Sequence, residues 1–275
     1  MEYIRLMKYP GSKKALLSDI QASYLKSGRR TFVDVFGGSG SVSLNIESRY
    51  TVYNDLNPDL INVFTNIQKR PENIYFLLKE GVKKRRSLLE EEGSWKKRTI
   101  DPEVEDFIKI KGRERGIPEK DVESVIFLTG MNLTFGGMGN TYATKKEKAA
   151  MSYISKTLDQ FDMIKNRVSR WKIENMDFRD LVKKYDDRNV FFYFDPPYSG
   201  TDWYEINFDA GDFRELSRLI SGLEGKYLMT IDPDAEGIME IFGIPVHIKE
   251  YRNENGPSDG IANPPPRKRA FYTNL

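Results

Sequence analysis

The sequence predicts an α/β protein in which a mostly parallel sheet carries an inserted helical subdomain. Short apolar runs alternate with segments of helical periodicity near both ends of the chain, which is typical of βαβ units. The alternation stops over residues 71–163, where only helical patterns occur. We therefore expect a core domain formed by residues 1–70 and 164–275, and an inserted subdomain formed by residues 71–163.

The composition fits one large domain with an insertion and excludes several chemistries. Of 275 residues, 39% are hydrophobic, and the net charge of +2 permits a polyanionic partner without demanding one. Because cysteine is absent and His247 is the single histidine, we expect no disulfide, no thiolate or multi-histidine metal site, no cysteine nucleophile and no Ser-His-Asp triad. The N-terminus lacks a signal-peptide core and no run approaches ~18 apolar residues, so we expect a cytoplasmic protein without a membrane span.

The first elements place a glycine-rich turn after a buried strand. A short arm at residues 3–7 and a lysine-flanked Pro-Gly turn at residues 8–13 precede an amphipathic helix. A strand predicted at residues 31–36 runs into Gly37-Gly-Ser-Gly40, and a helix is predicted at residues 41–47. Glycines let a ligand approach the backbone, and a helix N-terminus offers free N–H groups, so the turn suits a nucleotide-like cofactor. The motif alone is weak, because it is not a full GxGxxG fingerprint.

The next strand, predicted at residues 51–54, ends at an acidic residue, Asp55, before a helix predicted at residues 59–68. An acid at the end of the second strand can accept hydrogen bonds from ribose hydroxyls. Asp55 could instead cap the following helix. Together with the glycine turn, the position favours the ribose role.

The insertion is predicted to contain helices at residues 72–92, 103–116 and 118–129. It also carries basic clusters, which are either a solvated surface or contacts to phosphates. The glycine-rich segment at residues 135–142, which includes Asn140, is predicted to be a loop able to lie against a nucleic acid.

After the insertion, strands and helices alternate again, and the last two strands are expected to form an antiparallel hairpin because no helix separates them. We predict strands at residues 171–174, 189–194, 226–231, 244–251 and 267–273, and helices at residues 178–185, 212–223 and 234–242. The strand at residues 189–194 is a run of aromatics that ends in Asp195-Pro-Pro-Tyr198. It should be buried on both faces, with the carboxylate at the sheet edge where α/β proteins bind ligands. The alternative is an ordinary turn in which Asp195 caps backbone amides.

Several of these stretches together resemble one family, the Dam-like (D12 class, α group) DNA adenine-N6 methyltransferases. The similar stretches are Lys8-Tyr-Pro-Gly-Ser-Lys13, Phe32-Val-Asp-Val-Phe-Gly-Gly-Ser-Gly-Ser-Val42, Asn54-Asp-Leu-Asn-Pro58, Met176-Asp-Phe178, Asp195-Pro-Pro-Tyr198 and Arg269-Ala-Phe-Tyr-Thr-Asn274. The resemblance covers residues 5–69 and 171–274, and it implies a Rossmann-like S-adenosylmethionine-dependent sheet with an inserted target-recognition subdomain. The family usually has Glu-Pro where this chain has Asp34-Val35, which keeps the acid. The segment after the recognition helix is less similar, so the target sequence is not predicted.

The resemblance also implies a set of site residues. S-adenosylmethionine would be held by Tyr9, Lys13, Asp34, Phe36, Gly38, Ser39, Gly40, Asp55, Asp177, Phe178 and Asp195. Within that set, Asp177 would bind the cofactor's adenine amino group and Phe178 would pack on its ring. Catalysis would fall to the Asp195 carboxylate and the Pro196 carbonyl as acceptors of the substrate amine's hydrogens, with Tyr198 stacking on the base. DNA contacts are expected from Lys84, Arg85, Lys97, Arg98, Asn140, Lys145, Arg252, Arg267 and Arg269.

The expected function is methyl transfer to the N6 of an adenine flipped out of duplex DNA, at a short specific sequence. Alternatives are a cytosine-N4 or RNA adenine methyltransferase, and an inactive subunit that binds DNA or a partner protein. A dehydrogenase is disfavoured because the GxGxxG fingerprint is incomplete. The expected partners are double-stranded DNA and a cognate restriction endonuclease, with the protein itself a monomer or weak dimer.

Overall fold

The computed structural model describes residues 2–9, 11, 13–91, 102–133, 154–197, 208–251 and 266–275. The chain forms two compact units. Unit 1 comprises Met1–Ser12, Gly38–Leu44 and Asn57–Ile173, and unit 2 comprises Lys13–Gly37, Asn45–Leu56 and Glu174–Leu275. The expected division by function, into a catalytic domain and a target-recognition insertion, stays a prediction.

The strands form a seven-stranded mixed sheet in the order β3-β2-β1-β4-β5-β7-β6. Strand β1 pairs in parallel with β2 and β4, and β4 pairs in parallel with β5, whereas β7 is antiparallel to both β5 and β6. This confirms the mostly parallel sheet and its C-terminal hairpin. The strands are β1 (Thr31–Asp34), β2 (Tyr50–Asn54), β3 (Trp171–Glu174), β4 (Val190–Phe194), β5 (Lys226–Ile231), β6 (His247–Tyr251) and β7 (Arg267–Thr273).

Strand β4 is buried along its whole length because both faces of the sheet are covered in unit 2. On one face, Phe191 stacks with Phe32 of β1, and Tyr24 of helix α1 (Leu17–Ser27) meets both rings edge-on. On the other face, Phe192 and Phe194 join the apolar core formed with α8 (Phe178–Tyr185), α9 (Ala210–Ser221) and α10 (Ile238–Phe242). The prediction of a strand buried on both faces is confirmed.

Unit 1 is mainly helical in its described part. Its helices are α2 (Pro58–Lys69), α3 (Pro71–Glu91), α4 (Pro102–Glu114), α5 (Glu119–Leu133), α6 (154–159) and α7 (Phe161–Val168). A buried polar network ties them together: the fully buried Asp121 accepts from Arg70 at 2.6 Å and from Asn73 at 2.9 Å. The three predicted helices of the insertion are confirmed, with ends displaced by a few residues.

Three predicted elements differ most from the structure. No helix forms at residues 41–47; a turn occupies residues 41–45, with the Leu44 N–H donating to the Gly40 carbonyl at 2.8 Å. Serine and valine disfavour helix there, because serine hydroxyls compete for backbone groups and valine is stiff at χ1. The helix predicted at residues 234–242 begins only at Ile238, after Gly237 with φ of 76°. The strand predicted at residues 244–251 begins only at His247.

Among the described residues, no helix combines the length and the apolar character needed to cross a membrane. Most of the long polar segment predicted at residues 253–266 lies outside the described residues.

Candidate active site

The carboxyl ends of four parallel or neighbouring strands bring carboxylates to one edge of the sheet in unit 2. Strand β1 ends at Asp34, and Asp55, Asp195 and Asp232 directly follow β2, β4 and β5. The parallel registers align these ends, since Asp34 lies opposite both Tyr53 and Tyr193. Sheet edges of this kind are where α/β proteins place their ligands.

At the centre of this edge, Lys13 forms an ion pair with Asp195 through its Nζ and the carboxylate Oδ2. The Lys13 side chain is 3% exposed and the Asp195 side chain is 18% exposed. Burial, the largest cause, lowers the pKa of Lys13; the Asp195 carboxylate opposes that shift and Arg269 adds to it. The second carboxylate oxygen, Oδ1, is buried and has no hydrogen-bond partner within the part of the chain that the structure describes.

Arg269 lies beside this pair because β7 runs antiparallel to β5. Its Nη1 is 3.3 Å from Asp232 and donates to the Lys268 carbonyl at 2.6 Å. The residue is 5% exposed, so its guanidinium serves contacts inside the protein. The expected DNA contact of Arg269 stays a prediction, and Asp232 is a member of the cluster that sequence reasoning missed.

Asn54 is a second residue that sequence reasoning missed, and it joins three segments at this edge. Its side-chain amide donates to the carbonyls of Val35 at 2.9 Å and Met176 at 3.0 Å, and its oxygen accepts from the Met176 N–H at 2.9 Å. The side chain is buried. The sequence did contain a sign of this role, because Asn54 is a polar residue at the end of a strand predicted to be buried. A buried side-chain amide usually has hydrogen-bond partners.

Asp55 does not cap the helix that follows it. The N-cap of α2 is Asn57, whose side chain accepts from the Asp59 N–H at 2.8 Å. The capping alternative for Asp55 is therefore wrong. The Asn175 side-chain amide donates to the Asp55 backbone carbonyl at 2.8 Å and so holds this turn. Asp55 is partly exposed, and its carboxylate lies at the sheet edge.

Asp177 and Phe178 lie where the segment after β3 enters α8. The Asp177 side chain caps the helix by accepting from the Arg179 N–H at 2.8 Å, and it pairs with the Arg179 guanidinium at 3.1 Å. Phe178 is buried and its ring centroid is 5.8 Å from that of Phe36 and 5.1 Å from that of Phe208. The structure thus brings Phe36 and Phe178 together, and the roles of Asp177 and Phe178 toward an adenine ring stay predictions.

Aromatic rings lie close to the glycines of the turn after β1 and limit the room for a side chain there. A Cβ at Gly37 would lie 2.2 Å from the Tyr53 ring within unit 2. Within unit 1, a Cβ at Gly38 would lie 3.3 Å from Tyr9, and one at Gly40 would lie 2.6 Å from Phe64; both glycines also have positive φ. Tyr9 and Gly38 of the expected cofactor set therefore lie next to each other, and Ser39 between the glycines is buried.

The remaining predicted residues are only partly described. Pro196 is buried behind Asp195, and Arg267 is exposed at the start of β7. In α3, Arg85 is 8% exposed, while Lys84 Nζ is 4.0 Å from Glu103. The predicted residues Tyr198, Lys97, Arg98, Asn140, Lys145 and Arg252 lie outside the described residues.

The mostly parallel sheet with its C-terminal antiparallel hairpin, and the acidic edge that carries Asp195, define a Rossmann-like methyltransferase fold. The chain belongs to the D12 class N6 adenine-specific DNA methyltransferase family, whose model matches residues 9–249. This confirms the family resemblance seen in the sequence.

Individual relatives agree with the family assignment over parts of the chain. Two DNA adenine methylases of Vibrio cholerae serotype O1 are each 36% identical over 66 residues, which is 24% of this chain and 23% of theirs. The type II methyltransferase M1.LlaDCHI of Lactococcus lactis subsp. cremoris is 29% identical over 196 residues, 70% of this chain and 64% of its own. The chain thus matches these relatives over less than two thirds of their length. A solved methyltransferase complexed with SAH is 15% identical over 55% of this chain and 45% of its own, with a TM-score of 0.26, too low to support an argument.

Proposed function

We propose that this chain transfers a methyl group from S-adenosylmethionine to the exocyclic N6 of an adenine flipped out of duplex DNA, at a short specific sequence. The supporting observation is the pair of unlike oxygens on Asp195: Oδ2 is bound by Lys13, and Oδ1 is buried without a hydrogen-bond donor among the described residues. A buried acceptor without a donor is unfavourable, and a substrate amine would supply the donor. The family to which the chain belongs suggests the N6 of adenine as that amine.

The chemistry follows from what Asp195 and Pro196 offer to an amine. The lone pair of an adenine N6 is delocalised into the ring, so the nitrogen is a poor nucleophile. Acceptance of its two hydrogens by Asp195 Oδ1 and the Pro196 carbonyl would favour a tetrahedral nitrogen with a localised lone pair. The Asp195 carboxylate would also stabilise the positive charge that develops on this nitrogen and would take the proton that is lost after transfer.

The residues at the sheet edge fit S-adenosylmethionine. When bound, this cofactor supplies an electrophilic methyl group on a sulfonium. The partly exposed Asp55 suits ribose hydroxyls, and the Phe36 and Phe178 pair suits an aromatic ring. Carboxylates dominate the edge at Asp34, Asp55, Asp195 and Asp232, which suits a cation.

An adenine inside a DNA duplex must leave the base stack before its amine can reach Asp195. Flipping a base costs a few kcal/mol, and stacking on an aromatic ring is typically worth about 1–3 kcal/mol. Tyr198, three residues beyond Asp195 in sequence, is the residue we propose for this stacking.

The test is incubation of the protein with labelled S-adenosylmethionine and unmethylated duplex DNA, followed by nucleoside analysis. Labelled N6-methyladenine is expected. Labelled N4-methylcytosine would indicate the cytosine alternative, and preferential labelling of RNA would indicate the RNA alternative. Binding of DNA without the cofactor and without any labelled product would indicate an inactive subunit.

The methylated DNA from this experiment can also be used to identify the recognition sequence and to test the proposed partner. Sequencing of the methylated DNA would give the recognition sequence. The match to a protein named a type II methyltransferase supports a restriction endonuclease as the partner. Such an endonuclease should cut DNA carrying that sequence, and should leave it intact after treatment with this protein.

A further inference from the structure

The two oxygens of the Asp195 carboxylate have different surroundings. Oδ2 contacts the Lys13 amine, whereas Oδ1 is buried and has no partner in the described ranges. A carboxylate can rotate about χ2 and exchange its two oxygens unless one of them is held. The Lys13 contact removes this freedom, so one defined oxygen is left for a substrate.

Lys13 itself is held by the backbone and by its surroundings. It stands directly before the short 3₁₀ helix Lys14–Leu16, and its carbonyl accepts from the Leu16 N–H at 2.8 Å. Its side chain is nearly inaccessible, and the groups that act on it electrostatically include Asp195, Arg269 and Asp34. Arg269 in turn faces Asp232. Burial of a lysine is unfavourable unless its charge is paired, and the Asp195 carboxylate supplies that partner.

We propose that Lys13 is a positioning residue for the transfer step: its amine binds Oδ2 of Asp195 and so presents Oδ1 to the amine that is methylated. This inference rests on the proposed function of the site. It differs from the role that the family resemblance implies, in which Lys13 is one of the residues that hold S-adenosylmethionine. The two roles lead to different kinetic consequences.

A positioning role predicts a loss of rate without a loss of cofactor affinity. Lys13→Met keeps the length of the side chain and removes its donors. We expect the single-turnover rate at saturating cofactor and DNA to fall by about 10- to 100-fold, because misplacement of a reacting group has effects of that size. The cofactor Kd, measured by calorimetry, should stay within about threefold. Lys14→Met, at the exposed neighbouring position, is the matched control and should leave both values unchanged.

Chemical rescue separates positioning from a general structural role. In Lys13→Ala, propylammonium can restore a donor at Oδ2, while propyltrimethylammonium carries the same charge without an N–H. We expect saturable recovery of the rate with the first cation and none with the second. This comparison uses the folded variant with its cofactor bound, and thermal unfolding checks that the fold is intact.

Three outcomes would overturn the inference: an unchanged rate in Lys13→Met, a rate loss explained by weakened cofactor binding, or equal rescue by both cations. If Lys13→Met does not fold, Lys13→Ala and Lys13→Gln decide the question by the same rate and Kd. Failure of the proposed function would be visible separately, because the unmodified protein would then form no N6-methyladenine.

Discussion

Asp195 is the residue on which the proposed chemistry depends, because one of its oxygens contacts Lys13 and the other is buried without a donor among the described residues. Its position could be predicted from the sequence, since a run of aromatics ending in Asp-Pro-Pro indicates a strand end. The lysine contact could not be predicted, because Lys13 is far from Asp195 in the chain and meets it only through tertiary folding.

Asp195→Ala should lower the single-turnover rate by at least about 10²- to 10³-fold, the range found when one preorganised electrostatic contact is removed from an active site. Cofactor binding should persist within a few-fold, because several other groups are expected to contact the cofactor. Asp234→Ala, at an exposed position after β5, is the control and should keep the normal rate. Loss of cofactor binding in Asp195→Ala would show that the pocket has been misplaced.

Asn54→Leu should destabilise the protein by about 2–4 kcal/mol, because several buried backbone groups lose their hydrogen bonds together. The bonds concerned join Asn54 to Val35 and Met176. Urea unfolding monitored by tryptophan fluorescence would measure the change. Asn175→Ala removes bonds at an exposed site and should cost less than about 1 kcal/mol. Equal losses in the two variants would contradict the anchoring role of Asn54.

At the scale of elements, the turn after β1 is shaped by the strand beside it. Gly37 donates its N–H to the Asn54 carbonyl at 2.7 Å, and the Tyr53 ring occupies the space that a side chain at Gly37 would need. The sequence motif suggested that these glycines serve a ligand. The structure adds a packing reason at Gly37, which depends on a residue in the neighbouring strand.

Gly37→Ala should therefore destabilise the fold by about 1–3 kcal/mol, the usual cost of an extra group in a filled site. Gly222→Ala is the matched control, since its added Cβ would meet only ordinary contacts at 3.8 Å or more. The free energies of unfolding of both variants, obtained from denaturant titrations, give the comparison. A Gly37→Ala protein as stable as the control would mean that the Tyr53 ring moves aside at no cost.

Element boundaries show where local patterns are reliable. The predicted ranges for β3, β5 and β7 agree with the structure. An alternating pattern marks β3 and an apolar run marks most of β5. The helix predicted at residues 41–47 does not form, because a short apolar pattern does not offset the poor helix propensity of serine and valine.

At the scale of the whole molecule, the near-neutral net charge of +2 leads us to expect that the proposed DNA substrate is bound through local basic groups. Arg267 is the predicted DNA-binding residue on β7 that the structure leaves exposed, in contrast to the buried Arg269. Phosphate contacts release counterions, so DNA affinity should fall steeply with salt.

Arg267→Ala should weaken DNA binding and make the slope of log K against log salt less negative by about 0.9, the value for one phosphate contact on B-DNA. Fluorescence anisotropy with a labelled duplex over a series of salt concentrations measures the slope. Arg188→Ala, at an exposed arginine that pairs with Glu224, should leave it unchanged. An unchanged slope in Arg267→Ala would remove this residue from the DNA contact.

The sequence by itself determined the α/β class, the central buried strand, the C-terminal hairpin and the family, because these depend on periodicity and on motifs that are contiguous along the chain. The tertiary structure decided which groups meet: Lys13 with Asp195, Arg269 with Asp232, and Asn54 with the carbonyls of Val35 and Met176. These contacts join residues on different elements, and their geometry depends on the order in which the strands pair, which local sequence does not encode.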